Sequence, residues 1–329
     1  MPKVDIIVLN FNGRRFLEEC LLSLKQQTYQ DFEVLLVDNA SSDDSVELVQ
    51  NTFPDVKLLQ LPENFGFCGG NNHGIRSTSA EYVALLNNDT QADPKWLESL
   101  VSVLDHEPHV GFCASKMIRI QDRTTIDTAG DIFYTHGVGG KRGSGLSISH
   151  YIVPEYIFGA CAGAAIYRRA MLDEVGLFDE DFFAYDEDIE LSFRCQLQGY
   201  QCKYVPHAIV YHHVGGSFGQ LSAENVRRIR RNMLEVVLKN MPTSLLVRYL
   251  PKILMYFLLG DLRYAIQGYG RAVIHARYEN LRRLPMTLDK RRSIQSKRRA
   301  TDAEIKAILT NQSIFDWGNA DSSCPTKKK

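Results

Sequence analysis

Four short apolar runs constrain what this chain can fold into more than any other feature: "VDIIVL" (residues 4–9), "FEVLLV" (32–37), "VKLLQL" (56–61) and "YVALLN" (82–87). The first is a short β-branched run bounded by Asn and Gly turn formers and suits a strand buried on both faces, and the other three read as further strands. Helical spacing fills the gaps. Leu17, Leu21, Leu22 and Leu24 follow the first run, with Glu18 and Glu19 near the start, where the helix dipole favours acids. A second helix is expected from about Ser45 to Asn51, capped by Ser and Asp and ending before Pro54. "NFGFCGGNNHGI" (64–75) reads as a Gly-rich turn leading into a helix that runs to about Ser79. This alternation implies an α/β fold, a mostly parallel sheet flanked by helices, with ligands at the carboxyl ends of the strands.

That topology puts three polar clusters on one rim: Asn10 to Asn12, Asp38 to Asp44, and Asn87 to Asp89. Any one alone is an ordinary turn, because Asn, Asp and Gly dominate turns. Three at strand ends favour a site. Asp38 could accept the imide hydrogen of uracil or thymine; as a helix cap it is less needed, since Ser41, Ser42 and Asp43 lie closer to the helix. Asp89 is a hard oxygen donor suited to Mg²⁺ or Mn²⁺ on a diphosphate, and Asn87, two residues away on the same side of an extended chain, could assist. Gly66, Gly69 and Gly70 permit close backbone approach, but no Lys-Ser/Thr follows them and the spacing misses GxGxxG. A nucleoside triphosphatase or dinucleotide fold gains little.

"LFDEDFFAYDEDIELSFR" (177–194) gathers Asp186, Glu187, Asp188 and Glu190 at the start of a helical pattern. Acids are common there, but a carboxylate fixed at a helix amino terminus beside aromatic faces is also a candidate general base for a hydroxyl nucleophile. "YVPHAIVYHHVGGSFG" (204–219) ends a strand with His212 and His213, candidates for metal ligation or phosphate contact.

With 329 residues, 44% of them hydrophobic, and a net charge of -1, the chain can form one large or two modest domains. Arg and Lys concentrate after Val226. Seven scattered cysteines, Cys324 among them, without a CxxC pair fit neither a disulfide framework nor a zinc knuckle and suit a reducing cytoplasm. "MPKVDIIVLNFNG" lacks a signal-peptide pattern. "SLLVRYLPKILMYFLLG" (244–260) is interrupted by Arg248, Pro251 and Lys252, short of the ~18–20 apolar residues of a bilayer span, and reads as a helix that packs or lies on a membrane. "NVRRIRRNMLEVVLKNMP" (225–242) reads as a basic amphipathic helix and "DKRRSIQSKRR" (289–299) as a charge run. Two readings stay open for this segment: packing on the catalytic domain with a solvated basic face, or docking to anionic lipid on the inner face of the cell membrane. No nucleic-acid-binding signature accompanies the basic residues.

Taken in order, "IIVLNFNG", "VLLVDNASSDDS", "ENFGFCGGNNHGI", "LLNNDT", "GACAGAAIYRRAMLDEVGLFDEDFFAYDEDIELSFR" and "YVPHAIVYHHVGGS" resemble the family 2 inverting glycosyltransferases of GT-A fold, especially their bacterial rhamnosyltransferase-like branch, over about residues 3–232. The resemblance implies a Rossmann-like catalytic domain over 1–225, with a nucleotide-sugar half (about 1–95) and an acceptor half (about 96–225), then a basic helical extension (226–312) and a flexible tail (313–329). It implies Asp188 as catalytic base, Asp89, His212 and Asn87 as metal ligands, and His213 as the fallback. Leu9, Asn10, Asn12 and Asp38 would line the nucleoside pocket; Asn64, Gly69, Gly70, Asn71 and Asn88 would border the donor. The implied partners are a dTDP- or UDP-linked sugar, with dTDP-rhamnose foremost, and a saccharide or lipid-linked acceptor of a surface polysaccharide. A nucleotidyltransferase and a non-catalytic nucleotide-sugar binder are the alternatives; "NFNGRRF" offers the first only Arg14 and Arg15 to grip a triphosphate, and Asp188 argues against the second.

Overall fold

The structure, a computed structural model, describes residues 1–215 and 221–311. The tail expected at 313–329, Cys324, and Gly216 and Ser217 of the last motif lie outside the described residues.

The first half alternates as its apolar pattern requires: β1 (Val4–Asn10), α1 (Arg14–Lys25), β2 (Phe32–Asp38), α2 (Ser45–Thr52), β3 (Lys57–Gln60), α3 (Gly66–Arg76) and β4 (Tyr82–Asn87). β1 pairs in parallel with β2 on one side and β4 on the other, setting Asn10 beside Asp38 and Leu9 beside Asn87. Register alone therefore brings the three polar clusters together. β1 is apolar on both faces because each face meets its own core: Ile7 enters one cluster, while Val4, Ile6 and Val8 enter the other with Leu17 and Leu21 of α1.

The Gly-rich stretch departs from expectation. It is mostly helix rather than turn, since α3 begins at Gly66. A Cβ on Gly70 would lie 2.4 Å from Leu9 Cδ1, so small residues let this helix sit close on β1.

The second half comprises β5 (Thr90–Ala92), α4 (Trp96–His106), β6 (Val110–Arg119), β7 (Ile126–Thr128), β8 (Asp131–Phe133), β9 (Gly139–Lys141), β10 (Glu155–Ile157), β11 (Ala164–Arg168), α5 (Arg169–Val175), α6 (Glu187–Leu197) and β12 (Gln201–His212). The main sheet runs β10-β12-β6-β11-β4-β1-β2-β3. β11 is antiparallel to both β4 and β6, which inserts a break between two parallel portions of a mostly parallel sheet.

Four helices close the described chain: α7 (Ala223–Asn240), α8 (Thr243–Tyr264), α9 (Gly270–Ser296) and α10 (Asp302–Ile308). The division expected at 225/226 falls in the first turn of α7. The basic residues of α7 are not a solvated face: Arg230, Arg231 and Lys239 are buried, bound to Asp261, to the Asp181 and Phe182 carbonyls, and to Asp179 and Glu190 respectively. Among the described residues no helix is long and apolar enough to cross a membrane.

Candidate active site

The nucleoside end of the rim is a buried polar network. Asn10 Nδ2 donates to Asp38 Oδ1 at 3.2 Å and to Ser41 Oγ at 3.1 Å, while the Ser41 amide donates to Asp38 Oδ2 at 3.1 Å. Asn88 Nδ2 donates to Asn10 Oδ1 at 2.7 Å. Asn88 is thus more than a turn residue, because it links the end of β4 to β1. Asn12 turns outward with a positive φ of 51° and accepts from the Ser42 amide at 2.8 Å. Gly13 is required by closeness, since a Cβ there would lie 1.9 Å from Asn88 Nδ2. Asn64 Oδ1 accepts from Asn39 Nδ2 and the Gly66 amide, shaping the entry to α3. Asn71 Nδ2 donates back to the Phe67 carbonyl of its own helix.

Asp89 sits in a turn, so the extended-chain argument for Asn87 fails: β4 ends at Asn87 and the backbone bends at Asn88 and Asp89. The main-chain amide of Asn87 donates to the Gly163 carbonyl at 2.9 Å, joining the end of β4 to the 159–163 loop. The partner brought to Asp89 is His212. β5 pairs antiparallel with β12 and sets Thr90 opposite His212, which places His212 Nε2 at 3.4 Å from Asp89 Oδ1. His213, the next residue, points the other way, its ring 4.7 Å from that of Phe16. Period-two alternation along the chain separates the two histidines.

Asp127 of β7, absent from the sequence reading, completes this arrangement. His212 Nδ1 donates to Asp127 Oδ2 at 2.9 Å, and Lys141 Nζ holds both oxygens of Asp127 at 3.0 Å. Burial disfavours charge on His212, but hydrogen bonds to Asp127 and Asp89 outweigh it and raise the imidazole to about 9. Burial likewise opposes charge on Asp127, yet Lys141 and His212 hold it well below the usual carboxylate range. A carboxylate behind a histidine, with a second buried carboxylate ahead of it, is a donor set that fits a divalent cation: the rear carboxylate fixes the ring and its tautomer.

The acidic motif is sorted by helical rotation. Glu190 is consumed by Arg194 and Lys239. Asp188, half-buried in the first turn of α6, accepts from the Ile189 amide at 2.8 Å. Burial pushes its carboxyl up, against the Ile189 and Ala162 amides, which favour the charge. Oxygens of Asp188 and Asp131 and the Cys161 sulfur all lie within 4.8 Å of one another. Burial drives Asp131 and Cys161 well above their usual values, the nearby carboxylates adding to it. Burial thus favours the protonated forms of Asp131 and Cys161, so these two do not complete a charged cage with Asp188, whose carboxylate is supported by the two amides. Glu187 is pushed up in the same way, by burial and by Asp188.

The turn before α6 is strained. Phe183, Tyr185 and Asp186 have φ of 65°, 73° and 61°, conformations costing about 1–3 kcal/mol each in non-glycine residues. Asn232 of α7, fully buried, donates to the Phe182, Ala184 and Tyr185 carbonyls at 3.2, 2.9 and 2.8 Å. Gly66 fits beneath, where a Cβ would lie 2.5 Å from the Phe183 carbonyl oxygen. Neither Asn232 nor Asp127 carries a sequence signal, because each acts through a fold contact with a segment far away in the chain.

The sheet order and the rim network define an α/β protein with a buried polar rim at the carboxyl ends of its strands. The glycosyl transferase family 2 model matches residues 5–176, and the chain belongs to that family. The poly-beta-1,6-N-acetyl-D-glucosamine synthase of Staphylococcus aureus (strain COL) is 24% identical over 257 residues, 77% of this chain and 60% of the relative. The chain thus spans about 60% of that relative's length. GalNAc-T7, solved with UDP, GalNAc and Mn²⁺, superposes with a TM-score of 0.59 at 15% identity, covering 73% of this chain and 48% of that one. S. aureus TarS 1-349 in complex with UDP-GlcNAc gives a TM-score of 0.56 at 18% identity, covering 89% and 90%. These likenesses establish the GT-A fold.

Proposed function

We propose that this chain transfers a sugar, with inversion, from a dTDP- or UDP-linked donor to a saccharide or lipid-linked saccharide acceptor in cytoplasmic assembly of a surface polysaccharide, with dTDP-rhamnose the first donor to test. The observation that carries the reading is a contiguous path of polar groups. Asp38 joins Asn10, and Asn10 joins Asn88; Asn87 joins the 159–163 loop; that loop's Ala162 amide faces Asp188; and Lys141 pairs with Asp127 and acts on Asp131 and Asp188. Support comes also from the UDP and Mn²⁺ of the GalNAc-T7 structure, the UDP-GlcNAc of the TarS structure and the polysaccharide named for the synthase.

In this reading Asp38 and Asn10 select the pyrimidine base, with Leu9 and Asn12 beside it, and Asn64, Gly69, Gly70, Asn71 and Asn88 shape the donor border. Asp89 and His212 would hold Mg²⁺ or Mn²⁺, with Asn87 in a supporting role, and the ion would supply positive charge to the departing diphosphate. Asp188 takes the proton of the acceptor hydroxyl as its oxygen attacks the anomeric carbon and the bond to the diphosphate oxygen breaks. Groups aimed at charge that grows during reaction contribute more in the transition state than in the ground state.

The test is incubation of the purified protein with a panel of nucleotide sugars, Mn²⁺ and saccharide acceptors. Release of nucleoside diphosphate with formation of a glycoside is the expected result. Pyrophosphate release from a triphosphate and a sugar phosphate would instead identify a nucleotidyltransferase, and binding without turnover across the panel would favour a non-catalytic binder.

A further inference from the structure

Helices α8 and α9 leave more large apolar side chains exposed than a surface meeting only water would. On α8, Val247, Leu254, Leu258 and Leu262 form an exposed stripe at helical spacing, continued by Ile266 in the π-helical turn Ala265–Tyr269 that follows, with Leu258 68% and Ile266 79% exposed. On α9, Ile274, Tyr278, Leu281 and Leu288 form another, with Ile274 71% and Leu281 72% exposed. The inner side of α9 buries Ala272, Val273, Ala276, Asn280 and Thr287, mostly small or polar residues. Asn280 is held there by the Arg231 carbonyl, so the helix cannot roll its large apolar side inward without breaking that contact. Scattered exposed leucines need no explanation, but two parallel-spaced stripes on adjoining helices do.

We propose that this face docks on an anionic lipid bilayer, with the two stripes entering the headgroup and acyl boundary and basic side chains meeting the lipid phosphates. Charge selects that occupant. Residues 243–299 carry thirteen Arg and Lys against three Asp and Glu. All three acids are spent on ion pairs: Asp261 with Arg230 and Arg277, Glu279 with Arg227 and Arg231, Asp289 with Arg292. Arg248, Arg271 and Arg282 are exposed beside the stripes and make no ion pair among the described residues. A second copy of the chain would bring the same cationic segment against itself, which like-charge repulsion opposes, whereas anionic headgroups offer the complementary sign. The helices are not long and apolar enough to span, so the mode is contact from one side. The surface argument is independent of the catalytic reading.

The experiment is flotation of the full chain with vesicles of phosphatidylglycerol and phosphatidylcholine, and with phosphatidylcholine alone, at low and high salt. Binding to the anionic vesicles, weakened by salt and by omission of phosphatidylglycerol, is expected. Leu258→Ser with Ile266→Ser, and separately Ile274→Ser with Leu281→Ser, should each lower vesicle binding at least ~10-fold while leaving the circular dichroism spectrum and unfolding temperature unchanged, as these side chains are already in water. Arg271→Ala with Arg282→Ala should reduce the preference for anionic vesicles. Failure of the wild-type chain to float, or retention of binding by both folded apolar variants, overturns the proposal. So does sedimentation showing a wild-type dimer that the apolar variants convert to monomer without any vesicle binding.

Discussion

The side-chain amide of Asn232 donates to the Tyr185 carbonyl at 2.8 Å, tying helix α7 to the strained turn that presents Asp188. Removing it takes a donor from the Ala184 and Tyr185 carbonyls, while the Phe182 carbonyl keeps Arg231, at about 1–3 kcal/mol, and releases a turn held against its own preferences. Asn232→Ala should therefore unfold at lower denaturant concentration and lose kcat more than it raises KM for the donor. A loss of stability with kcat intact would reduce Asn232 to a packing role.

Asp188→Asn keeps shape and helix position but has no carboxylate to take the proton. Transfer should fall by about 10²–10⁴-fold while nucleoside diphosphate binding, followed by calorimetry, stays near the wild-type value. Near wild-type transfer would remove Asp188 from the role of base.

Asp127 acts on the ring of His212 from behind. Asp127→Asn should weaken Mn²⁺ binding by about 10–100-fold, measured by electron paramagnetic resonance on the protein without substrate. Because the change also leaves Lys141 without its carboxylate, Asp127→Asn with Lys141→Met serves as the control for misfolding. Unchanged Mn²⁺ affinity in both folded variants would show that His212 needs no such support.

Asp186 gives the fold a pH dependence of definite sign. Burial and the neighbouring Asp188 carboxylate raise its carboxyl to about 7, above the ordinary value of roughly 3.9, so the folded chain holds a proton that the unfolded chain has released. That contribution is complete below the unfolded value and is lost as pH rises through about 7. Asp186→Asn, whose amide suits the left-handed backbone there, should gain on the wild type by about 2–4 °C in unfolding temperature near pH 8 and by little near pH 4. Parallel curves for the two proteins would show that Asp186 does not titrate in this window.

The residues at the strand ends were legible in the sequence because the apolar runs set the strands, and parallel pairing with short connections then places Asn10, Asp38 and Asn87 side by side. From the residues alone Asp188 was one of four acids, and the family resemblance singled it out; the structure adds that Glu190 is claimed by Arg194 and the buried Lys239. Alternation separates His212 from His213 on any strand, yet only the pairing of β5 with β12 decides which of them meets Asp89.

What the sequence by itself determined is therefore local and periodic: the α/β alternation, the polar rim and the basic character of the last third. The tertiary structure decided the rest, since it depends on which distant segments touch. Asp127 reaches His212 through a three-residue strand with no pattern of its own, and Asn232 reaches Tyr185 from 47 positions away. The last third shows the same limit most sharply. Its sequence suggested a basic outer face, whereas folding buries Arg230, Arg231 and Lys239 against acids and carbonyls of distant segments and leaves Leu254, Leu258 and Leu262 of α8 outside, because ion-pair partners come from the tertiary contacts and not from the local pattern.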